Sequence, residues 1–226
     1  MMSSDSKIIL ASQSPRRKEL LEALGIKFKT RIINTEETFP ENLTREGIAL
    51  FLAEKKAAAF DSRLEDNEIL IAADTIVWIN STLLGKPTNI RDANRMLNML
   101  SGRMHEVFTG VCILSSQKKK SFYVRTEVCF RKLTEDEISS YISQYNPFDK
   151  AGSYGAQEAL PEGINPLSRE ELTFLKKINN EDLFDKINLK YHGDSHRIVL
   201  IEKIKGSYFN VMGLPLKELW EELDTF

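Results

Sequence analysis

The sequence predicts an α/β fold built on a mixed sheet, and three observations carry that expectation. Apolar runs of strand length alternate with segments of helical periodicity along the chain. Two of those runs are apolar with almost no alternation: Lys7–Ser12, short and continuous, has the pattern of a strand buried on both faces, and Glu68–Ile79 reads as a long apolar strand. Two others, Glu106–Leu114 and Ser121–Phe130, do alternate and flank a basic Gln117–Lys120 turn, the pattern of an antiparallel hairpin.

Taken in order, the Lys7–Ser12 strand leads into a helix for which Ser14 is a good N-cap and Pro15 a good first residue. Leu20, Leu21 and Leu24 give that helix an apolar stripe, and Gly25 ends it. A second helix spans about 45–60, with Leu50, Ala53, Ala57 and Phe60 on one side and Lys55-Lys56 among alanines. The Glu68–Ile79 strand, interrupted only by Asp74-Thr75, turns at Asn80-Ser81. Ile90–Leu100 carries Ala93, Met96, Leu97 and Leu100 at helical spacing and stops at Ser101-Gly102. After the hairpin, Thr134 and Glu137 have capping-box spacing ahead of Ile138 and Tyr141, and Pro147 closes that helix. The stretch from about 160 to 194 differs, rich in Pro, Asn and charge around a helical Ser168–Ile178, and reads as an insertion in a single 1–226 domain. Arg197–Ile201 resumes as strand, Gly206–Asn210 as loop, and Pro215 starts a last helix to about Leu223.

Composition narrows the function. Lys and Arg number 31 against 33 Asp and Glu, a net charge of −2, so the basic footprint of a duplex nucleic-acid binder is lacking. Cys112 and Cys129 fall within the hairpin strands, read as buried thiols, make no zinc pattern and suit a reducing compartment. The polar start, residues 1–7, lacks a signal-peptide core, and no apolar run approaches the roughly 20 residues of a membrane span. The expectation is a cytoplasmic protein that binds neither nucleic acid nor membrane.

Four groups of residues carry candidate chemistry. Ser12-Gln13-Ser14-Pro15-Arg16-Arg17 places two arginines at a helix N-terminus, where they are electrostatically unfavourable unless an anion joins them. The alternative is a capped helix with two solvated arginines, and the pattern leaves both open. Asp74, a carboxylate in an apolar strand, must be paired, metal-bound or catalytic if buried, because burying it alone costs several kcal/mol; a structural Asp bonded to backbone N–H groups and an Asp at a cleft edge both stay open. Glu36-Glu37, Lys56 and Lys86 are surface residues taken singly; together they suit a hard cation and a polyphosphate. The 149–157 loop is polar and Gly-containing, and Gln157 has the donors and acceptor to read a base edge. Ser153 is no nucleophile elbow, and His105, His192 and His196 read as structural or solvated.

With those residues in view, the chain resembles the Maf family of nucleoside triphosphate pyrophosphatases. The resemblance rests on Leu10–Arg17, Glu36-Glu37 (more often Asp-Glu in the family), Ala53–Ala57, Ala72–Thr75, Leu84–Pro87, Ser101–Arg103 with His105 and Thr109–Val111, Asp149–Gly155 and Gly206–Pro215, in order. It implies an elongated mixed sheet flanked by helices, the anvil fold shared with inosine triphosphatases. It also implies a divalent cation, Mg²⁺ or Mn²⁺, and hydrolysis of a nucleoside triphosphate to monophosphate and pyrophosphate. On this resemblance Asp74 is the proton acceptor, Glu37 and Asp74 hold the metal, and Lys56 and Lys86 serve the catalytic step. Ser12, Ser14, Arg16, Arg17, Thr75 and Gln157 bind substrate. Arg16, Thr75 and Gln157 match the branch acting on dTTP and UTP, whereas the 7-methyl-GTP branch carries a bulky residue, Gln and Glu there. A homodimer is also implied. The competing reading is a nucleotide-binding regulator of cell division with little turnover, since the family was first associated with septum formation.

Overall fold

The computed structural model describes residues 6–188 and 197–226. β1 (Lys7–Leu10) passes into α1 (Pro15–Ala23), and the short β2 (Phe28–Thr30) pairs in parallel with β1. α2 (Glu46–Ala58) then precedes β3 (Glu68–Ile79), a central strand of twelve residues, and β4 (Thr82–Leu84) folds back on its end. α3 (Ile90–Leu100), the hairpin β5 (Met104–Leu114) and β6 (Lys119–Phe130), and α4 (Glu135–Tyr145) follow. The order after that is α5 (Ala156–Ala159), α6 (Arg169–Lys177), α7 (Leu183–Asn188), β7 (Ile201–Lys205), α8 (Tyr208–Met212) and α9 (Leu216–Leu223). The strands form one sheet in the order β2-β1-β3-β5-β6-β7, with β4 beside β3. β2, β1 and β3 run parallel, and β3, β5, β6 and β7 alternate in direction, which is the mixed sheet the sequence predicts.

Alternation along β3 sends its side chains into two helical layers. Ile69, Ile71, Ala73 and Val77 join the core that α1, α3, α4, α8 and α9 cover. Leu70, Ala72, Ile76 and Trp78 face α2, against Ile48, Ala49, Leu52, Ala53 and Ala57. α2 lies close on the sheet because Gly110 of β5 has no side chain: a Cβ there would sit 2.4 Å from the Ala49 carbonyl oxygen. Asp74 has the parity of Ala72 and Ile76 and so turns toward α2, while Thr75 turns to the other face.

One edge of β3 is left open at its middle. β1 pairs with Glu68–Ile71 and β4 with Val77–Ile79, so the stretch 72–76 has no strand on that side. β1 ends there and turns into α1, leaving a crevice at the carboxyl end of a parallel strand, where open α/β sheets place ligands.

Several local expectations need correction. The strand expected at Arg197–Ile201 begins only at Ile201, because residues 197–200 spend their backbone groups elsewhere: Leu200 N–H on the Ala159 carbonyl, and its own carbonyl on Arg131 N–H. Gly206–Asn210 is half helix, since Ser207 caps α8 by accepting from Asn210 N–H. The basic turn is shorter than expected, Lys119 and Lys120 already lying in β6, and Cys129 is only half-buried where Cys112 is fully buried. The 160–188 part of the unusual segment forms α6 and α7, packed through Phe174 on Trp220 and Phe184 on Tyr208. His192 and His196 lie outside the described residues.

Candidate active site

The crevice at 72–76 of β3 opens into a cavity of about 420 Å³. β1 and α1 bring Ser12, Ser14, Arg16 and Arg17 to its wall, and the loop after β2 brings Glu37. α2 contributes Lys56, β3 contributes Asp74 and Thr75, and the residues after β4 contribute Lys86. Nine of the ten residues singled out in the sequence therefore meet around one space, although they span positions 12 to 86.

Their contacts divide the cavity in two. On the α2 face the Lys56 ammonium bonds the Asp74 carboxylate and lies 3.1 Å from Glu37 Oε1. Lys86 Nζ is 3.3 Å from the same Glu37 oxygen. Burial opposes the charge of Glu37, but the two ammonium groups outweigh it and hold the carboxyl below its ordinary value. On the other face Arg17 is fixed by three acceptors: Nε donates to the Gly213 carbonyl at 2.7 Å, Nη2 to Thr75 Oγ1 at 3.0 Å and Nη1 to Ser12 Oγ at 3.3 Å. Burial holds the Arg17 guanidinium below its usual pKa, offset in part by Asp74. Thr75 Oγ1 also meets Thr109 Oγ1 at 2.9 Å across the sheet, and Thr109 donates to the Asn210 carbonyl.

The helix entry is built for polar contact. Ser14 stands at the N-cap of α1 without making a side-chain cap, contrary to the usual role of serine there; its own N–H donates to Ser12 Oγ at 3.2 Å. The first turn holds no acid, so Arg16 finds its partner across the cavity, with Nη1 2.8 Å from Asp149 Oδ2. Asp149 and Lys150 line the same space and pair with each other at 2.9 Å. The sequence alone assigns Asp149 and Lys150 no partner; the charge of Arg16, complementary to Asp149, is the signal that points to one.

Gln157 does not join the others. Ala156 at the start of α5 lines the cavity, and the next residue, about 100° further around a helix, faces a smaller neighbouring space beside Leu160 and Arg197. Its side chain is buried, and neither amide atom has a hydrogen-bond partner. Glu36 is likewise not part of the cavity lining.

A divalent ion fits the α2 side in one way. Among the described residues no group of three or more His, Cys, Asp or Glu is placed to hold a metal. Glu37 and Asp74 nonetheless converge on a single ammonium group, and Mg²⁺ is commonly held by one or two carboxylates with substrate phosphate oxygens completing its shell.

The model of Maf-like proteins matches residues 7–170. The chain belongs to the Maf family. It is 42% identical over 218 residues to a dTTP/UTP pyrophosphatase of Phocaeicola vulgatus, covering 96% of this chain and 94% of that one. A dTTP/UTP pyrophosphatase of Bacillus cereus is 40% identical over 220 residues, covering 97% and 95%. Among solved structures, a nucleoside-triphosphatase and dITP/XTP pyrophosphatase from Mycobacterium abscessus aligns at 17% identity over 55% of this chain and 72% of that chain, with a TM-score of 0.36. Among the described residues of this Maf protein no helix is long and apolar enough to cross a membrane.

Proposed function

We propose that this protein hydrolyses dTTP and UTP to the monophosphate and pyrophosphate in the cavity beside β3. The observation that carries the reading is the convergence of Arg17, Lys56, Lys86, Glu37 and Asp74 on one space large enough for a nucleotide. Such a set neutralises a polyphosphate and presents a carboxylate to a water. The two relatives named as dTTP/UTP pyrophosphatases support the substrate class. The regulator of cell division is the less favoured reading, because no observation in the cavity argues for binding without turnover.

In this mechanism Arg17, Lys56 and Lys86 take the triphosphate oxygens. Lys56 is the pivot: it neutralises Asp74 and Glu37 in the free protein, and a bound phosphate draws the ammonium away from them. Asp74 then orients a water and accepts its proton as the oxygen attacks the α-phosphorus. The α–β anhydride bond breaks and pyrophosphate leaves. Glu37 and Asp74 would hold a Mg²⁺ or Mn²⁺ ion, which would supply Lewis-acid polarisation of the phosphates. Arg16 and Thr75 stand at the cavity wall for the pyrimidine preference, and Gln157 reads the base edge only by turning its amide from the neighbouring space. That turn breaks no hydrogen bond, since the amide makes none. The free thiols Cys112 and Cys129 support a cytoplasmic setting, the net charge of −2 supports the lack of nucleic-acid partners, and the family resemblance supports a homodimer.

Pyrophosphate release from dTTP, UTP, CTP, GTP and 7-methyl-GTP, each with Mg²⁺, Mn²⁺ or EDTA, tests the proposal. Metal-dependent release favouring dTTP and UTP is the expected result. Preference for a purine would overturn the specificity, release in EDTA would remove the cation, and no release from any nucleotide would overturn the enzyme.

A further inference from the structure

α6 carries a buried carboxylate to the start of α8. Glu171 is 2% exposed, and its two oxygens accept four hydrogen bonds. Oε1 takes Ser207 Oγ–H at 2.7 Å and Phe209 N–H at 3.1 Å. Oε2 takes Tyr208 N–H at 3.2 Å and Ser168 N–H at 2.9 Å. The last bond closes the capping box of its own helix; the other three close the start of α8. A carboxylate so placed satisfies N–H groups that would otherwise be buried without partners, and its charge complements the helix end.

α8 is five residues long and leads straight into the cavity wall. Asn210, in its middle, is tied to the sheet by Nδ2 donating to the Val107 carbonyl and to Thr126 Oγ1, and by its carbonyl accepting from Thr109. Gly213, just past its end, has φ 113° and presents the carbonyl that holds Arg17 Nε. A Cβ at Gly213 would lie 3.4 Å from Thr75 Oγ1 and 3.6 Å from Arg17 Nε, so the backbone there packs directly on the two cavity residues. Glu171 fixes one end of a single-turn helix whose other end fixes Arg17.

We propose that Glu171 is a positioning residue of the cavity: from the unusual 160–194 segment it anchors α8, and through the Gly213 carbonyl it sets the Arg17 guanidinium. α6 is thereby part of the active-site framework, a role that follows from the hydrogen bonds and rests on the proposed nucleotide chemistry only for its kinetic consequence. A glutamine at 171 keeps the volume but replaces one acceptor oxygen by a donor facing donors, which forces a gap at Ser207–Phe209.

The test is Glu171→Gln, with Leu100→Ala, at a buried α3 residue, as a destabilised control. KM and kcat for UTP with Mg²⁺ are measured, together with hydrogen–deuterium exchange of peptides covering 206–214 and 12–20 in the free protein. E171Q should raise KM about tenfold with kcat within about threefold of wild type, because a displaced Arg17 weakens ground-state and transition-state binding alike. Exchange should accelerate in both peptides, and Leu100→Ala should lower the melting temperature without either change. Glu171→Asp, which keeps the charge but withdraws the carboxylate from α8 by one methylene, should give the same pattern at about threefold and stands in if E171Q is insoluble. Unchanged KM, faster exchange confined to 206–214, or an equal KM rise in Leu100→Ala would each overturn the role. Should wild type hydrolyse no nucleotide, the proposed function fails by itself, and exchange at 12–20 still decides whether Glu171 holds Arg17.

Discussion

Asp74 and Glu171 are both buried carboxylates set among apolar residues, yet their surroundings differ in kind. Glu171 is met by three backbone N–H groups and a serine hydroxyl, donors that the fold holds still. Asp74 is met by Lys56, a flexible side chain that also bonds Glu37 and borders open space. Fixed donors satisfy a charge permanently; an ammonium group on four methylenes can leave and take a phosphate instead. The difference separates a carboxylate that holds structure from one free to act. Burial alone does not make the distinction, because both residues are over nine-tenths buried.

The strongest way to break this comparison is Asp74→Asn. If Asp74 accepts the proton of the attacking water, the amide should lower turnover a hundredfold or more, about 2.7 kcal/mol in barrier or above. Melting temperature should stay near wild type, since Lys56 keeps Glu37 as its partner. Glu171→Gln is expected to do the reverse, with lost order at α8 and a small kcat change. Near-normal turnover in Asp74→Asn, measured by pyrophosphate release, would remove Asp74 from the role of base.

The two carboxylates also mark how far the sequence could be read. Asp74 was legible because a charge breaks a twelve-residue apolar strand, and the helix entry at Ser12–Arg17 because arginines oppose a helix N-terminus. The meeting of Lys56, Glu37 and Lys86 was not legible without the family resemblance. It depends on α2 crossing the sheet at a height set by Gly110, and no local pattern encodes that distance. Glu171 was half legible: Ser168 and Glu171 have capping-box spacing, but the same carboxylate closing a second helix 36 residues on is a tertiary fact. The strand misplaced at Arg197–Ile201 shows the converse. An apolar run there buries Leu200 as a strand would, while its backbone bonds a helix end and a loop, and burial pattern cannot tell the two apart.

Gln157 sharpens the contrast between fixed and exchangeable partners from the neutral side. Its amide is buried with no partner at either atom, so a change of direction costs it no hydrogen bond, whereas Asp74 would exchange the partner it has. Gln157→Glu should lower UTP turnover about tenfold relative to GTP if the amide turns to meet the N3–H and O4 edge of a pyrimidine. Each good hydrogen bond lost in that way is worth about 1.4 kcal/mol. Equal loss for every nucleotide would confine Gln157 to packing between α5 and its neighbours.

The smallest effect concerns His105, a buried group whose charged form has no fixed acceptor set comparable to the donors around Glu171. Its Nε2 meets the Tyr154 hydroxyl at 2.8 Å, and Tyr154 lines the cavity. Burial pulls the imidazole down to about 3, against an ordinary value of 6.5. The unfolded chain therefore takes up the proton first as pH falls, so this residue costs no stability above pH 6.5 and an increasing amount from 6.5 toward 3. The slope cannot exceed about 1.4 kcal/mol per pH unit for one proton. Calorimetry of wild type and His105→Asn at pH 7 and pH 5 should show a smaller drop in melting temperature for the variant. Equal drops would mean that other groups, Glu37 with its two ammonium partners among them, carry the acid sensitivity; in that case the loss would begin only as pH approaches the ordinary carboxylate range and continue through the lowered pKa of Glu37.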